Sequence, residues 1–386
     1  MIRFLPLVLK NVFRKKTRSV LTIASILLPL FVICILGTLL AALDADPSGG
    51  KGMFRLTVRH RISITNFLPE AYLPKIRQLP GVKEVTVMNW FGGKYVDNSA
   101  KNFFARFAID PEPFLRVFDE ATVVEGSTAE WMNDRSGLMV GQVLMGKYGW
   151  RLGQQITLKG DIFPGIYTFT IRAVFKGADE SGVYFDRRVL EEAVPRFKGL
   201  VGLFWIKCDS VQTVERLPKE IDAMFENSPY PTKTETEKEF QNSWVSMLGN
   251  VRLLITSITT IIVLVILLIA ANTMAMSARE RVTEIAVLRT LGFQRGTILG
   301  LVLGESVLLS LFGGFLGVAL FVLSFPGFKQ GMLSSPMGGF AAGMRLFPGI
   351  LALGFGITLL VGLLSGLVPA IRSAQRPIAD GLRQVG

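Results

Sequence analysis

A short charged stretch, AMSARERVTEIAVLRTLGF from Ala275 to Phe293, carries the most ordered charge pattern in this chain of 386 residues. Arg281 and Glu284 are three residues apart, so a helix would place them side by side as an ion pair. The neighbouring face of that helix would be small and apolar, with Val282, Ile285 and Ala286. Mixed charges beside a small apolar face are typical of a helix that docks into a groove of another protein. A helix lying on a membrane surface is the alternative, although such helices are usually richer in lysine.

Glu305 is the second candidate, because it is an acid inside a long apolar run. An ionisable residue in such a run is a functional candidate by default, since burying a charge in lipid is costly. Two roles stay open for Glu305: a hydrogen bond between helices, or a direct part in transport.

The residue types needed for hydrolytic or metal chemistry are sparse. His60 is the one histidine in the sequence, which argues against histidine-based metal clusters and Ser-His-Asp arrangements within one subunit. We expect His60 to lie at the surface or at an interface. Cys34 and Cys208 fall on segments that a membrane would separate, so we expect no intrachain disulfide and a buried Cys208 thiol. The sequence thus predicts no catalytic site and no metal or cofactor bound by this chain.

Four long apolar runs surround the charged stretch. They are 19–43, 253–278, 296–328 and 346–371. About 20 apolar residues cross the hydrocarbon core as a helix, so each run is long enough to span a membrane. Four spans place both termini on the same side.

The distribution of Lys and Arg predicts the orientation. The segments 1–18, 279–295 and 372–386 carry thirteen basic residues against three acidic ones, whereas the loop 329–345 holds only Lys329 and Arg345. Short cytoplasmic segments of membrane proteins are enriched in Lys and Arg. We therefore expect both termini in the cytoplasm of an inner-membrane protein, with 1–18 an amphipathic helix, 279–295 an inward turn and 372–386 a tail.

The large loop, about 44–250, predicts a domain outside the cytoplasm. It holds 26 basic and 26 acidic residues, so nearly all of the net charge of +12 lies on the inner face, as a topology signal and not a nucleic-acid footprint. Strand-like and helix-like stretches are interspersed. Residues 54–59 alternate as in a half-buried strand, and 138–150 has the pattern of a short helix. The predicted fold class is an α-helical membrane protein with four transmembrane helices and a mixed α/β extracytoplasmic domain between the first two.

A stalk is predicted just before the second span. Large side chains recur there at helical spacing, namely Phe240, Trp244, Met247 or Leu248, and Val251. No proline interrupts the 43 residues 234–276. One continuous helix of that length would measure about 64 Å, so its outer part, about 234–252, would stand clear of the lipid. It is then either a rigid stalk that carries motion or an amphipathic helix that packs on the outer domain.

Glycines recur along the third span at positions that favour close contact between helices. These are Gly300, Gly304, Gly313 and Gly317. Small residues spaced by four let helix backbones approach closely in lipid.

Several of these segments together resemble a known family. The segments are MSARERVTEI at 276–285, LRTLGF at 288–293, GESVLLSLFGGFLG at 304–317 and PIADGLR at 377–383. With them the chain resembles the permease subunits of the MacB, LolC/LolE and FtsX group of ABC transporters. The resemblance is strong over the C-terminal 140 residues and weaker in the large loop.

The resemblance implies a permease subunit that pairs with a second one, identical or paralogous, and binds a separate cytoplasmic ABC ATPase. ATP and Mg²⁺ would be held by that ATPase, because this chain lacks Walker motifs. The coupling residues would be Arg279, Glu280, Arg281, Glu284, Ile285, Leu288, Arg289, Leu291, Gly292 and Phe293. ATP-driven motion would pass through the stalk to the outer domain, to extract or export a lipoprotein, lipid, peptide or drug. A periplasmic adaptor with an outer-membrane factor, or a lipoprotein carrier, is a further implied partner.

Two other classes stay open. An FtsX-like regulator would use the same motion to switch on an extracytoplasmic hydrolase without transport, although the FtsX loop is much smaller. A secondary transporter with Glu305 as its proton carrier is disfavoured by four spans without an internal repeat.

Overall fold

The computed structural model describes residues 16–44, 50–177, 180–247, 249–333 and 344–375. The chain divides into two compact units, one made of 1–41, 250–327 and 345–386, the other of 42–249 and 328–344. We call the first the helical unit and the second the α/β unit. The predicted helix at 1–18 and the tail at 372–386 lie mostly outside the described residues.

The helices and strands of the described residues are numbered in chain order. The α-helices are α1 (Lys16–Asp44), α2 (Leu73–Arg77), α3 (Pro111–Val117), α4 (Thr128–Asn133), α5 (Gln142–Tyr148), α6 (Arg188–Ala193), α7 (Val211–Phe225), α8 (Glu237–Met247), α9 (Val251–Glu280), α10 (Val282–Thr290), α11 (Arg295–Leu333) and α12 (Pro348–Gln375). The strands are β1 (Arg55–His60), β2 (Leu68–Pro69), β3 (Val82–Trp90), β4 (Ala105–Ile109), β5 (Thr122–Gly126), β6 (Gly137–Gly141), β7 (Gln155–Gly160), β8 (Gly165–Lys176), β9 (Gly182–Asp186), β10 (Leu200–Val201), β11 (Leu203–Cys208) and β12 (Thr232–Thr236).

Four helices of the helical unit, α1, α9, α11 and α12, are long and apolar enough to cross a membrane. The first three contain the predicted spans 19–43, 253–278 and 296–328, and α12 begins two residues after the start of the predicted span 346–371. Apolar side chains of three of them form a small core, with Ile26 and Ile33 from α1, Ile266 and Ala270 from α9, and Val361 from α12.

Glycines set the close contacts of α11. A Cβ on Gly317 would lie 2.8 Å from the Leu27 carbonyl oxygen of α1, and a Cβ on Gly314 would lie 2.3 Å from the Thr358 side chain of α12. Ser306 of α11 donates a hydrogen bond of 2.7 Å to the carbonyl oxygen of Gly362. Small residues and hydroxyl groups thus bring these helices together, as expected in lipid.

The α/β unit is built on a ten-stranded mixed sheet in the order β12-β1-β11-β3-β4-β9-β6-β8-β5, with β7 paired to β8. Two pairs, β4 with β9 and β6 with β8, are parallel. Strands β2 and β10 form a separate pair. Helix α7 has a buried side at Val214, Leu217, Ile221 and Phe225, which packs in one core with β1, β3 and β11. This helical spacing of three and four is what makes α7 amphipathic.

Three local predictions for this unit are wrong. All six residues of β1 are buried, because partners cover both faces of the strand, including the face that carries Arg55 and Arg59. His60 at its end is also buried, and its Nδ1 accepts a hydrogen bond from the Ile62 amide at 3.2 Å. The stretch 138–150 is not one helix, because 137–141 pairs with β8 and β9 as strand β6 before α5 begins.

The predicted continuous stalk helix is also wrong. Residues 232–236 form β12, α8 ends at Met247, and α9 begins only at Val251. Gly249 has a φ of 90°, a left-handed conformation that ends a right-handed helix. Asn250 then starts a new helix, since its side chain accepts a hydrogen bond from the Leu253 amide at 3.0 Å.

Candidate functional site

The charged stretch forms a compact turn between two long helices. Arg281, with φ −109° and ψ 15°, separates the end of α9 from the start of α10. Gly292, with a φ of 92°, follows the end of α10 in a left-handed conformation. The Phe293 amide bonds to the Leu288 carbonyl oxygen and the Gly292 amide to that of Arg289, the pattern of a Schellman cap. The turn is therefore held at both ends by its own backbone.

Arg281 is the centre of the charge network in this turn. Its Nε donates a hydrogen bond of 3.0 Å to Oε2 of Glu284, the ion pair that the spacing predicts. Its Nη1 donates to Oε2 of Glu305, which lies in α11 and is only 5% exposed. Arg281 thus joins the turn to the first third of the next long helix.

A small cavity of about 40 Å³ lies beside this network. Ser277, Arg281 and Glu305 supply its polar groups, and its apolar lining includes Met274, Ile285 and Leu288. A cavity of this size with polar partners has room for a few water molecules. The Arg281–Glu305 pair is therefore mostly enclosed by side chains of α9, α10 and α11.

The apolar side of α10 that faces outward differs from the predicted one. Ala286 is buried, and Ile285 lines the cavity, so this side faces the rest of the helical unit. Val287 and Leu291 are instead 45% and 71% exposed. Sequence reasoning missed Val287, although its spacing of four from Leu291 indicates a shared face.

The other predicted site residues are dispersed. Arg279 and Glu280 are exposed at the end of α9, and Arg289 and Phe293 are half-buried. Gly313 and Gly317 lie against α1, whereas a Cβ on Gly304 would have no neighbour within 4 Å, and Gly300 is half-buried. Of the stalk residues, Phe240 is buried in the α/β unit, Val251 begins α9, and the side chains of Trp244, Met247 and Leu248 lie outside the described residues.

The arrangement suits binding and the transfer of motion. Within the part of the chain that the structure describes, no group of three or more His, Cys, Asp or Glu residues could hold a metal ion. The turn offers an ion-paired inner side, tied to α11, and an outer side with two exposed apolar residues.

These features define a multi-pass membrane protein with a short charged turn between its second and third long helices. Residues 256–378, which include the turn and Glu305, match the family described as FtsX-like permease C-terminal. This part of the chain matches an FtsX-like permease domain, and homologues of the chain are named ABC transporter permeases.

Relatives with related names support this assignment. An uncharacterised ABC transporter permease of Methanocaldococcus jannaschii is 24% identical over 97% of this chain and 96% of its own length. The macrolide export ATP-binding/permease protein MacB of Chlorobaculum tepidum is 33% identical over 29% of this chain and 16% of its own length. The uncharacterised ABC transporter permease YknZ of Bacillus subtilis is 26% identical, over 46% of this chain and 44% of its own length.

Solved structures of related proteins show a distant likeness. The extracellular domain of YknZ from Gram-positive bacteria has 13% identity and a TM-score of 0.37, over 47% of this chain and 99% of that domain. The periplasmic region of MacB from Actinobacillus actinomycetemcomitans has 12% identity and the same TM-score, over 52% of this chain and 95% of that region.

Proposed function

We propose that this chain is the permease subunit of an ABC transporter that works by transmitting motion. A separate cytoplasmic ABC ATPase binds ATP and Mg²⁺ and docks on α10. Its motion passes through the helical unit to the α/β unit on the outer side of the membrane. The observation that carries the proposal is that Arg281 joins α10 to α11 through Glu305, while Val287 of α10 and Leu291, the residue that caps α10, stay exposed.

The docking face follows from exposure and charge. Val287 and Leu291 form an exposed apolar pair one helical turn apart, and Arg279 and Glu280 are exposed at the adjacent end of α9. An apolar anchor pair flanked by charges suits a groove on a soluble protein. The excess of Lys and Arg in this turn and near both termini supports a cytoplasmic position for all three segments.

Displacement of α10 has a direct route to the other helices of the helical unit. A push on α10 reaches α11 through the Arg281–Glu305 pair, and α11 is in close contact with α1 and α12 through its glycines. Packed helices move as rigid elements, so a shift at the turn is passed on to the other spans.

The α/β unit would act on the substrate. The chain itself connects the α/β unit to helices α1 and α9 of the helical unit, so motion of those helices reaches the α/β unit. The substrate class is a lipoprotein, lipid, peptide or drug that is extracted from the membrane or exported. A second permease subunit completes the transporter, and a periplasmic adaptor with an outer-membrane factor, or a lipoprotein carrier, would receive the substrate.

The proposed role of Val287 and Leu291 in binding the ATPase can be tested directly. Leu291→Asp combined with Val287→Asp should abolish co-purification of the ATPase with the full-length chain from membranes, because charged groups would replace both anchors. Val96→Asp is the matched control, since Val96 is 75% exposed but lies in the α/β unit. The control should retain the ATPase. Retention of the ATPase by the double variant, in correctly inserted protein, would show that docking does not use this face.

A further inference from the structure

Helix α8 is attached to the sheet of the α/β unit by a buried arginine. Arg55, the first residue of β1, is 2% exposed. Its Nε donates a hydrogen bond of 2.6 Å to Oε2 of Glu237, the first residue of α8, and its Nη1 lies 2.7 Å from Oε1 of Glu120. The guanidinium group also stacks on Phe118, 4.6 Å from the ring centre. The start of α8 is thus ion-paired to the start of β1.

A second buried ion pair lies four residues further along β1. Arg59 Nε donates a hydrogen bond of 2.6 Å to Oε1 of Glu235 in β12. The second oxygen of Glu235 bonds to Lys233 at 2.7 Å and accepts a hydrogen bond of 3.4 Å from Ser243 of α8. Burial raises the pKa of Glu235, but the hydrogen bonds from Arg59 and Lys233 outweigh burial and hold it below its ordinary value. Glu235 is therefore a charged link between β1 and α8.

An aromatic contact on the same face of α8 completes the attachment. Phe240 is buried, and its ring packs edge-on against that of Trp205 in β11, with the ring centres 5.6 Å apart. Ion pairs and an aromatic pair, from three different strands, thus determine the direction of the first two turns of α8. This helix leads along the chain to α9, while β1 follows α1.

We propose that Arg55 and Arg59 are positioning residues that fix the direction of α8, so that α8 and the sheet turn as one body when α9 moves. The inference rests on the proposed function, because it states where transmitted motion enters the α/β unit. Gly249 has a left-handed φ and α9 begins only at Val251, so the proposal places bending at Gly249 and Asn250 and not within α8.

Stability alone does not account for these buried pairs. Removing charges from water is costly, and well-packed apolar residues often replace a buried ion pair without loss of stability. Charged hydrogen bonds, in contrast with apolar packing, require a defined direction between their partners. This difference allows a positioning role to be separated from a stabilising one.

Pulsed EPR on the full-length chain in lipid nanodiscs tests the proposal. Nitroxide labels on Asn242→Cys in α8 and Lys83→Cys in β3 report the direction of α8, because both positions are exposed. The native thiols do not interfere, since Cys34 and Cys208 are buried and burial raises the pKa of Cys208 to about 12. The unaltered network should give one narrow distance distribution.

The test variant combines Glu237→Gln with Arg59→Met and Glu235→Leu. It should unfold at the same temperature as the parent or a higher one, and yet give a broad distance distribution. The control, Arg216→Met with Glu220→Leu, removes an exposed ion pair of α7 and should keep the narrow distribution. Should the triple variant fold poorly, Glu237→Gln alone, which leaves Arg55 paired with Glu120, should still broaden the distribution.

A distribution that stays narrow in every variant would overturn the positioning role. That result leaves ATPase docking untouched, because docking is measured by co-purification and depends on Val287 and Leu291. Conversely, a double variant at Val287 and Leu291 that still retains the ATPase would not alter the EPR distances. The two failures are therefore distinguishable.

Discussion

The two units of this protein bury polar groups in opposite ways. In the α/β unit, Arg55, Arg59 and Arg187 are buried, and each is paired with carboxylates. Arg187 alone contacts Glu70, Asp110 and Glu191. In the helical unit, Arg281 is paired with Glu284 and with Glu305, and hydroxyl groups such as that of Ser306 donate hydrogen bonds to backbone carbonyl oxygens.

The difference follows from the surroundings of each unit. A folded domain in water can bury arginine if several acceptors surround it, and such pairs define directions between strands and helices. In lipid, apolar surface provides little driving force between helices, so contact depends on small residues and on hydroxyl-to-carbonyl bonds. The Arg281–Glu305 pair of the helical unit lies where the turn meets α11.

The largest expected effect comes from breaking the Arg281–Glu305 pair. Arg281→Ala leaves Glu305 buried without its arginine and should cost about 3–5 kcal/mol of stability. Thermal unfolding of the purified chain in micelles measures it. Arg279→Ala, which removes an exposed arginine of the same turn, should have little effect. Equal losses of stability in the two variants would mean that the Arg281–Glu305 pair stabilises the protein no more than an exposed arginine does.

A medium effect is expected where glycine sets the distance between helices. Gly314→Ala would place a Cβ 2.3 Å from the Thr358 side chain, so the helices must shift, at a cost of about 1–3 kcal/mol. Gly356→Ala is the control, because a Cβ there has no neighbour within 4 Å. The same unfolding measurement applies. If Gly314→Ala is as stable as Gly356→Ala, close packing of α11 on α12 is not required.

The smallest effect concerns acid sensitivity of the α/β unit. Hydrogen bonds from Arg59 and Lys233 outweigh burial and lower the folded-state pKa of Glu235 below its ordinary 4.5. A lowered pKa contributes stability above the unfolded value, and that contribution is lost as the pH falls through the folded value. The stability difference between the parent and Glu235→Gln should therefore shrink below pH 4.5.

Tryptophan fluorescence during urea unfolding measures this difference, since all five tryptophans lie between residues 90 and 244. Glu220→Gln, at an exposed pair, is the control and should show a much smaller pH dependence. A difference between the parent and Glu235→Gln that does not change with pH would contradict the assigned charge of Glu235.

Much of the helical unit could be predicted because its signals are local. Runs of apolar residues, the Arg281–Glu284 spacing and the stop at Gly292 each depend on neighbours within one or two helical turns. The exposed face of α10 could not be predicted in this way, since only packing shows that Ala286 is buried and Val287 is exposed. In β1 the alternating pattern predicted one solvent-exposed face. Acidic residues of β12, α8 and the loop after α3, namely Glu235, Glu237 and Glu120, cover that face.

The amino-acid sequence by itself determined the four spans, the charged turn and the mixed character of the large loop, because hydropathy and short-range spacing act along the chain. Tertiary structure alone decided that Arg281 meets Glu305, 24 residues away, and that Arg55 meets Glu237, 182 residues away. It also decided that the helix breaks at Gly249. Long-range ion pairs depend on which elements pack together, and no local pattern carries that information.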